Sequence, residues 1–393
     1  MLLKLKPAVW ERHGDELHVM ADQREMRTLL DPDGRVEELL RLLSADAHTP
    51  ETLTAGLARR FPDISPDDVA EGVSGLDGLG MVEDAAKADL LNERQQSRYF
   101  TNLVFFQSFA TLALAREEMQ QRLMAANVLI LGVGGLGSMV LMHLVGAGVG
   151  RFTLLEHDTV EERNFSRQFI YRHADIGRPK VERASEWVRE YSPSTKVRAL
   201  NRKITSSDDV TELLDGTETD LVIAAVDTPP FEIGSWVNQA CVAAGVPHIR
   251  GMMGVQSGYC SVDPGRGPCF ECGRLVMLSE QDEPGATGAK WRLIQRLTQV
   301  NRGVGPIAGQ IGALVAMEAL RYLTGFAEPV AAGVLHSFDL SDGGAETLTP
   351  WEKRADCPVC PLAGTSAGTS AGATAGTSAG QAASQTRRPE LVP

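Results

Sequence analysis

Gly132-x-Gly134-x-x-Gly137 stands between an apolar run, Val128 to Leu131, and an apolar helical stretch. Glycines at this spacing let backbone N–H groups approach a phosphate at the start of a helix. The pattern alone does not say whether that phosphate belongs to a redox dinucleotide or to ATP. Glu156 closes the next apolar run, where an acid can bind a ribose hydroxyl of either ligand. The residues after it separate the two. Asn164, Arg167 and Gln168 share one polar stretch, and Lys180 follows in "GRPKVERA". Two cations and two amides beside the glycine turn suit a triphosphate. Asp227 ends the run "LVIAAVD". A carboxylate at the end of a buried strand faces the ligand crevice of an open α/β sheet and is a candidate ligand for magnesium (Mg2+); capping the next helix is the alternative.

The six cysteines are Cys241, Cys260, Cys269, Cys272, Cys357 and Cys360. The last four form two CxxC pairs, able to hold zinc (Zn2+) with four thiolates. A redox dithiol is the rival, but neither pair has the strand-to-helix context of a thioredoxin motif. Cys241 and Cys260 fall in apolar runs and read as core residues. The amino terminus is apolar only briefly before charges begin, so no signal peptide is expected.

The elements that must position these residues alternate. Strands are expected at Val128–Leu131, Phe152–Leu155, Val197–Leu200, Leu221–Ala225, Pro247–Ile249 and Tyr259–Val262, with helices at Pro179–Tyr191, Phe231–Ala244 and within 305–325. This predicts an α/β fold, a doubly wound Rossmann-like sheet. Residues 1–85 look separate: a hairpin across His13-Gly14-Asp15, a third strand in "EMRTLL", and three helices, the first opened by Asp33-Gly34 and the others capped near Thr49 and Ser65. They predict a small winged-helix-like module, or an extension packed on the main domain. Residues 362–393, rich in Ala, Gly, Ser and Thr, read as a disordered tail.

The 393 residues suffice for two domains. A net charge of −13 argues against nucleic acid as a partner. No run of about eighteen apolar residues occurs, so no membrane span is expected, and a cytoplasmic location follows.

Taken in order, "LILGVGGLGS", "LLEHDTVEERNFSRQF", "GRPKVE", "AAVDTPPF", "PCFEC" and "CPVC" resemble the ThiF/MoeB-type adenylyltransferases of the ubiquitin-activating-enzyme superfamily. The resemblance covers roughly residues 94–361, within an adenylation domain placed at 86–361. It implies ATP and magnesium activating a peptide or protein carboxylate as an acyl adenylate. By this resemblance Gly132, Gly134, Gly135 and Gly137 form the nucleotide turn, and Glu156 takes the place of the ribose-binding acid, which is usually Asp. Asp158, Asn164, Arg167, Gln168 and Lys180 contact the nucleotide. Asp227 holds magnesium, and Cys269, Cys272, Cys357 and Cys360 hold structural zinc. Arg98 matches an arginine inserted into a partner's site in a homodimer; a surface arginine is the alternative. No cysteine lies between Gly273 and Asp356, where thioester-forming members carry their nucleophile. "WVNQACVAAGVPHI" and "GPCFECGRL" resemble the peptide-adenylating enzymes of microcin C maturation, and residues 1–85 resemble PqqD-like peptide-recognition domains. The function expected is adenylation of a precursor peptide bound through that domain. The alternatives are activation of a Gly-Gly sulfur carrier and a non-enzymatic leader-binding adaptor.

Overall fold

The computed structural model describes residues 1–21, 25–230, 232–281 and 303–360, together with 285, 289 and 293. The expected tail lies outside the described residues. In the amino-terminal module, Leu17 and Val19 alternate with more exposed neighbours and are fully buried, the pattern of a one-sided antiparallel strand. The hairpin forms as expected from β2 (Val9–His13) and β3 (Glu16–Met20), and β4 (Arg27–Leu30) extends it antiparallel. A further strand, β1 (Leu3–Leu5), pairs with β5 (Val82–Asp84) and closes the module over its own core. Both are three residues long, too short to show a period.

Three helices fill the module: α1 (Arg35–Ala45), α2 (Pro50–Ala58) and α3 (Pro66–Gly78). Thr49 caps α2, with Pro50 in its first turn, and Ser65 forms a capping box with Asp68 on α3. α1 starts directly after Asp33-Gly34, as expected, and Asp33 accepts the N–H of Arg35 at 3.2 Å. Gly34 is left-handed there and offers no side chain. Asp31 instead accepts the N–H groups of Val36 and Glu37 at 2.9 and 3.1 Å, and Arg12 pairs with it. A longer loop thus carries the cap from three residues upstream.

The module is anchored to the rest of the chain. Lys6 is 4% exposed. Its ammonium donates to the carbonyls of Gly80, at 2.7 Å, and of Ala110, at 2.5 Å. Asp77 also accepts the N–H of Leu112, and Gln107 donates to Glu83. Ala110 follows two short helices, α4 (Glu93–Arg98) and α5 (Phe100–Gln107); α6 (Arg116–Ala125) then leads into the main sheet.

That sheet has eight strands. β6 (Asn127–Leu131), β7 (Arg151–Leu155), β8 (Lys196–Leu200), β9 (Leu221–Ala224) and β10 (His248–Met252) run parallel in the order β10-β9-β6-β7-β8. β11 (Gln256–Val262), β12 (Val334–Asp339) and β13 (Ala345–Pro350) continue it antiparallel. Helices α7 (Gly135–Ala147), α8 (Lys180–Tyr191) and α12 (Gly305–Thr324) cover one face, and α9 (Ser207–Leu214) and α10 (Glu232–Ala244) the other. A further helix, α11 (Phe270–Gln281), begins inside the first CxxC pair. The doubly wound Rossmann-like expectation therefore holds. The antiparallel extension was not expected, because exposed β13 has no apolar period. It is held by Glu318 of α12, fully buried, which accepts from Ser261 on β11 and from the N–H groups of Val330 and Ala331.

Replacing Lys6 with Met leaves two shielded carbonyls without a donor, at a cost of about 1–3 kcal/mol. Lys6→Met is expected to lower the thermal midpoint by several degrees and to speed proteolysis between the module and α6. An unchanged melting curve would show that the anchor carries no stability.

Candidate nucleotide and metal sites

β6 ends at a turn that only glycine can make. Gly132 has φ +89°, and a Cβ there would lie 2.7 Å from the Ala225 carbonyl oxygen. At Gly137 a Cβ would lie 1.8 Å from the carbonyl oxygen of Gly132. The turn is thereby pressed against the end of β9, and α7 starts directly beneath it. Gly134 is its N-cap, with no acid in the first turn, so the helix N–H groups and dipole are left to an incoming anion.

Glu156, at the end of β7, is 8% exposed. One oxygen accepts the N–H of Val133 at 3.2 Å; the other accepts those of His157, at 2.9 Å, and Asp158, at 3.1 Å. The acid thus joins the glycine turn to its own loop. Lys180, buried at the start of α8, donates to Asp158 at 3.0 Å. Asn164 is also buried, and its side-chain oxygen accepts the N–H of Glu161 at 2.9 Å. The Arg167 methylenes lie 3.2–3.3 Å from a Cβ position at Gly135, and Gln168 Nε2 lies 3.9 Å from one at Gly134. Arg167 Nε and Gln168 Oε1 are shielded and have no hydrogen-bond partner among the described residues. Two shielded polar atoms without a partner beside the glycine turn fit the polar groups of a nucleotide. The structure therefore brings Gly132, Gly134, Gly135, Gly137, Glu156, Asp158, Asn164, Arg167, Gln168 and Lys180 to one end of the sheet.

Asp227 stands exposed three residues beyond β9, two after the Ala225 carbonyl that touches the turn. It accepts the Thr228 hydroxyl at 3.2 Å. No hydrogen bond from it to α10 occurs among the described residues. Arg98 lies elsewhere. It is exposed at the end of α4, stacked on Tyr99 and on Tyr191, 5.7 and 5.8 Å from the ring centroids. Tyr191 ends the helix that Lys180 begins, and twelve residues at 1.5 Å each put the two ends about 16 Å apart. Arg98 is thus remote from its own chain's glycine turn.

Two contributors carried no signal in the sequence. Tyr171 is buried and donates to the Val133 carbonyl at 2.6 Å. Burial, and then the charges of Glu156, Asp158 and Asp175, hold its phenol well above the ordinary value, so it stays a donor and fixes the turn from below. Arg250, on β10, is stacked on Phe270. Arginines are common enough that neither spacing nor type marked it.

The four paired cysteines meet across a long separation in sequence. Their sulfurs lie within 4.8 Å of one another, with Cys269–Cys357 at 3.7 Å, Cys272–Cys360 at 3.5 Å and Cys357–Cys360 at 3.7 Å. Four thiolates around zinc, each about 2.3 Å from it, stand roughly 3.8 Å apart, so this set fits that ion. Asn238 of α10, fully buried, donates to the Cys269 sulfur at 3.5 Å and accepts the N–H of Phe270 at 3.1 Å. Trp351 packs where a Cβ at Gly273 would stand. The other two cysteines are core residues as expected: Cys241 and Cys260 are buried, and burial pushes each thiol up to about 12. All six cysteines are thus placed, and none presents a free thiol at the glycine turn.

A glycine turn backed by a buried acid, an amide pair and a buried lysine, at the mouth of a doubly wound sheet, defines a nucleotide-binding α/β protein. Residues 107–359 match the ThiF family, and the chain belongs to it. It is 34% identical over 250 residues to the sulfur carrier protein adenylyltransferase of Thermus thermophilus, covering 62% of this chain and 85% of that one. It is 30% identical over 251 residues to the SAMP-activating enzyme E1 of Haloferax volcanii, covering 64% and 86%. Among solved structures, MccB of E. coli superposes with a TM-score of 0.72 at 21% identity, over 92% of this chain and 97% of that one. The same protein has been solved with ATP and, as a microcin C7 biosynthetic enzyme, with N-formylated MccA. The chain is an ATP-dependent adenylyltransferase. No described helix is long and apolar enough to cross a membrane.

Purified protein is expected to carry about one zinc per chain, as a closed four-thiolate site does. Cys357→Ser with Cys360→Ser should lose it and expose Trp351 to solvent. Full zinc retention in the double variant, by elemental analysis, would contradict the assignment.

Proposed function

We propose that this enzyme adenylates a carboxylate of a ribosomally synthesised precursor peptide, in the biosynthesis of a modified peptide product (RiPP), and that residues 1–85 hold the peptide's leader. The observation that carries this reading is the open edge of the module's sheet. β4 has no partner on its outer side among the described residues. It leaves Leu30 74% and nearby Met26 57% exposed. An unpaired strand with apolar side chains beside it receives an extended peptide by strand addition. The likeness to MccB extends over this module, whereas the curated relatives above match only 62–64% of the chain.

In the reaction a peptide carboxylate oxygen attacks the α-phosphate and pyrophosphate leaves. The start of α7, Arg167 and Lys180 meet the phosphate charge, and Glu156 meets the ribose. Asp227 would hold magnesium, which would offset charge that develops on the phosphates. With no free thiol at the turn, the adenylate itself is the species passed on. Activation of a sulfur-carrier protein is the second reading, favoured by the names of the curated relatives. It gives β4 no role.

Peptide-dependent ATP–pyrophosphate exchange separates the readings. With the cognate precursor, Leu30→Pro or removal of residues 1–85 is expected to raise the peptide's KM by at least about tenfold, the scale of one lost anchor, while ATP affinity is kept. Exchange driven equally well by a Gly-Gly carrier, and unaffected by Leu30→Pro, would favour the second reading.

We also propose a homodimer in which Arg98 reaches the partner's triphosphate, since it stands too far from its own. Arg98→Ala and Asp227→Ala should each be nearly inactive. Co-expressed and randomly paired, they should recover roughly a quarter of wild-type exchange, because half the dimers then hold one intact site of two. No recovery on mixing, or full activity in a monomer, would remove Arg98 from the site.

A further inference from the structure

The order of the parallel strands sets the order of groups along the ligand edge. β6 carries the glycine turn and β7 carries Glu156. β9, on the other side of β6, leads to Asp227. The next strand, β10, carries Arg250, paired in register with Ala224. Passing from the glycine turn across Asp227, the next cation met is Arg250.

Its surroundings are built to hold a guanidinium and give it no hydrogen-bonding anion among the described residues. Nε and Nη1 are shielded from water and have no hydrogen-bond partner among the described residues. The group stacks on Phe270, 5.3 Å from the ring centroid. Gly234 makes the room: a Cβ there would lie 2.6 Å from Nη1 and 2.8 Å from Phe270 Cε1. Gly234 belongs to the first turn of α10 and Phe270 begins α11, so the cation sits between the positive ends of two helices. The acid beside it is already engaged, since Glu271 accepts from Arg274 at 2.8–2.9 Å and from Ser235 at 3.1 Å. Burial pulls the guanidinium below its ordinary value, opposed by Cys260 and Asp227. Nη2 is not among the shielded atoms, so it is the nitrogen of the fork that a ligand can reach.

A cation held this way calls for an anion from outside the chain. The phosphates already have α7, Arg167, Lys180 and the Asp227 metal position, all on the near side of Asp227. The attacking carboxylate is the one anion of the reaction with no cation assigned to it. We propose that Arg250 is a substrate-binding residue that receives this carboxylate at Nη2 and holds it beside the α-phosphate. The inference rests on the adenylation chemistry, not on which macromolecule is activated.

The test uses the full chain labelled with 15N-arginine. It is titrated with N-acetylglycylglycine, with the C-terminal amide of that dipeptide, and with pyrophosphate; the Arg250 Nε–H signal is assigned by its loss in Arg250→Gln. The acid is expected to shift that signal, and the amide is not. By calorimetry, Arg250→Gln should weaken the acid roughly 10- to 100-fold, the scale of a hydrogen bond to a charged group, with ATP affinity within about twofold. Arg250→Lys, which keeps the charge and loses the planar fork, should also weaken the acid more than ATP. It decides the matter if Arg250→Gln does not fold. An equal response to acid and amide, no response in the wild-type chain, unchanged acid affinity in the variants, or a loss of ATP or pyrophosphate binding instead would each overturn the proposal. The probe has neither a leader nor a carrier domain, so this result and that of the leader experiment stand or fall separately.

Discussion

Everything at the ligand end of the sheet depends on how closely β6 can run into α7. With side chains at Gly132 and Gly137, the turn would collide with the carbonyls of Ala225 and of Gly132 itself. Without them, the end of β9 touches the turn, the Val133 N–H reaches Glu156, and the Tyr171 hydroxyl reaches the Val133 carbonyl. One steric allowance thus brings three strand ends within reach of a single small ligand. The apolar α7 contributes its open N-terminus because nothing acidic occupies its first turn.

The charges around that turn are arranged as a set of incomplete pairs. Lys180 shares its proton donors with Asp158, which is half in solvent. Arg167, Gln168 and Arg250 each retain a shielded polar atom with nothing to bond. Elsewhere some buried polar groups are completed, as at Asp31, Lys6 and Glu318, while Arg35, Arg183 and His248 each keep one shielded atom without a hydrogen bond among the described residues. At the strand ends the unmet atoms of Arg167 and Gln168 lie beside the glycine turn, where a partner from outside the chain can meet them.

Much of this was legible in residue order. The glycine spacing, the acid after β7 and the carboxylate after β9 are local signals, and each depends on a strand that announces itself by continuous apolar residues. The paired cysteines were legible as a metal set, although their meeting is a tertiary fact. Other features were not. β1 and β5 are three residues each and stable only because they pair with one another. β13 is exposed throughout and forms by extending β12. Asp31 caps α1 from beyond the position a cap occupies. Arg250 and Asn238 act through neighbours from α10 and α11, and no periodicity in a single chain segment reports such neighbours.

The Lys6 anchor bears on how a substrate would be measured. A flexible tether between module and sheet would let a bound chain present carboxylates from many positions. A buried ammonium that bonds Gly80 within the module and Ala110 beyond it restricts that freedom, because swinging the module away would take the charge from the Ala110 carbonyl and leave that acceptor unmet. The distance from β4 to the glycine turn then becomes a fixed length, and an extended chain covers it at about 3.3–3.6 Å per residue. A peptide gripped at β4 would be read by a ruler: the count of residues between grip and carboxylate, more than their identity, would select which carboxylate arrives.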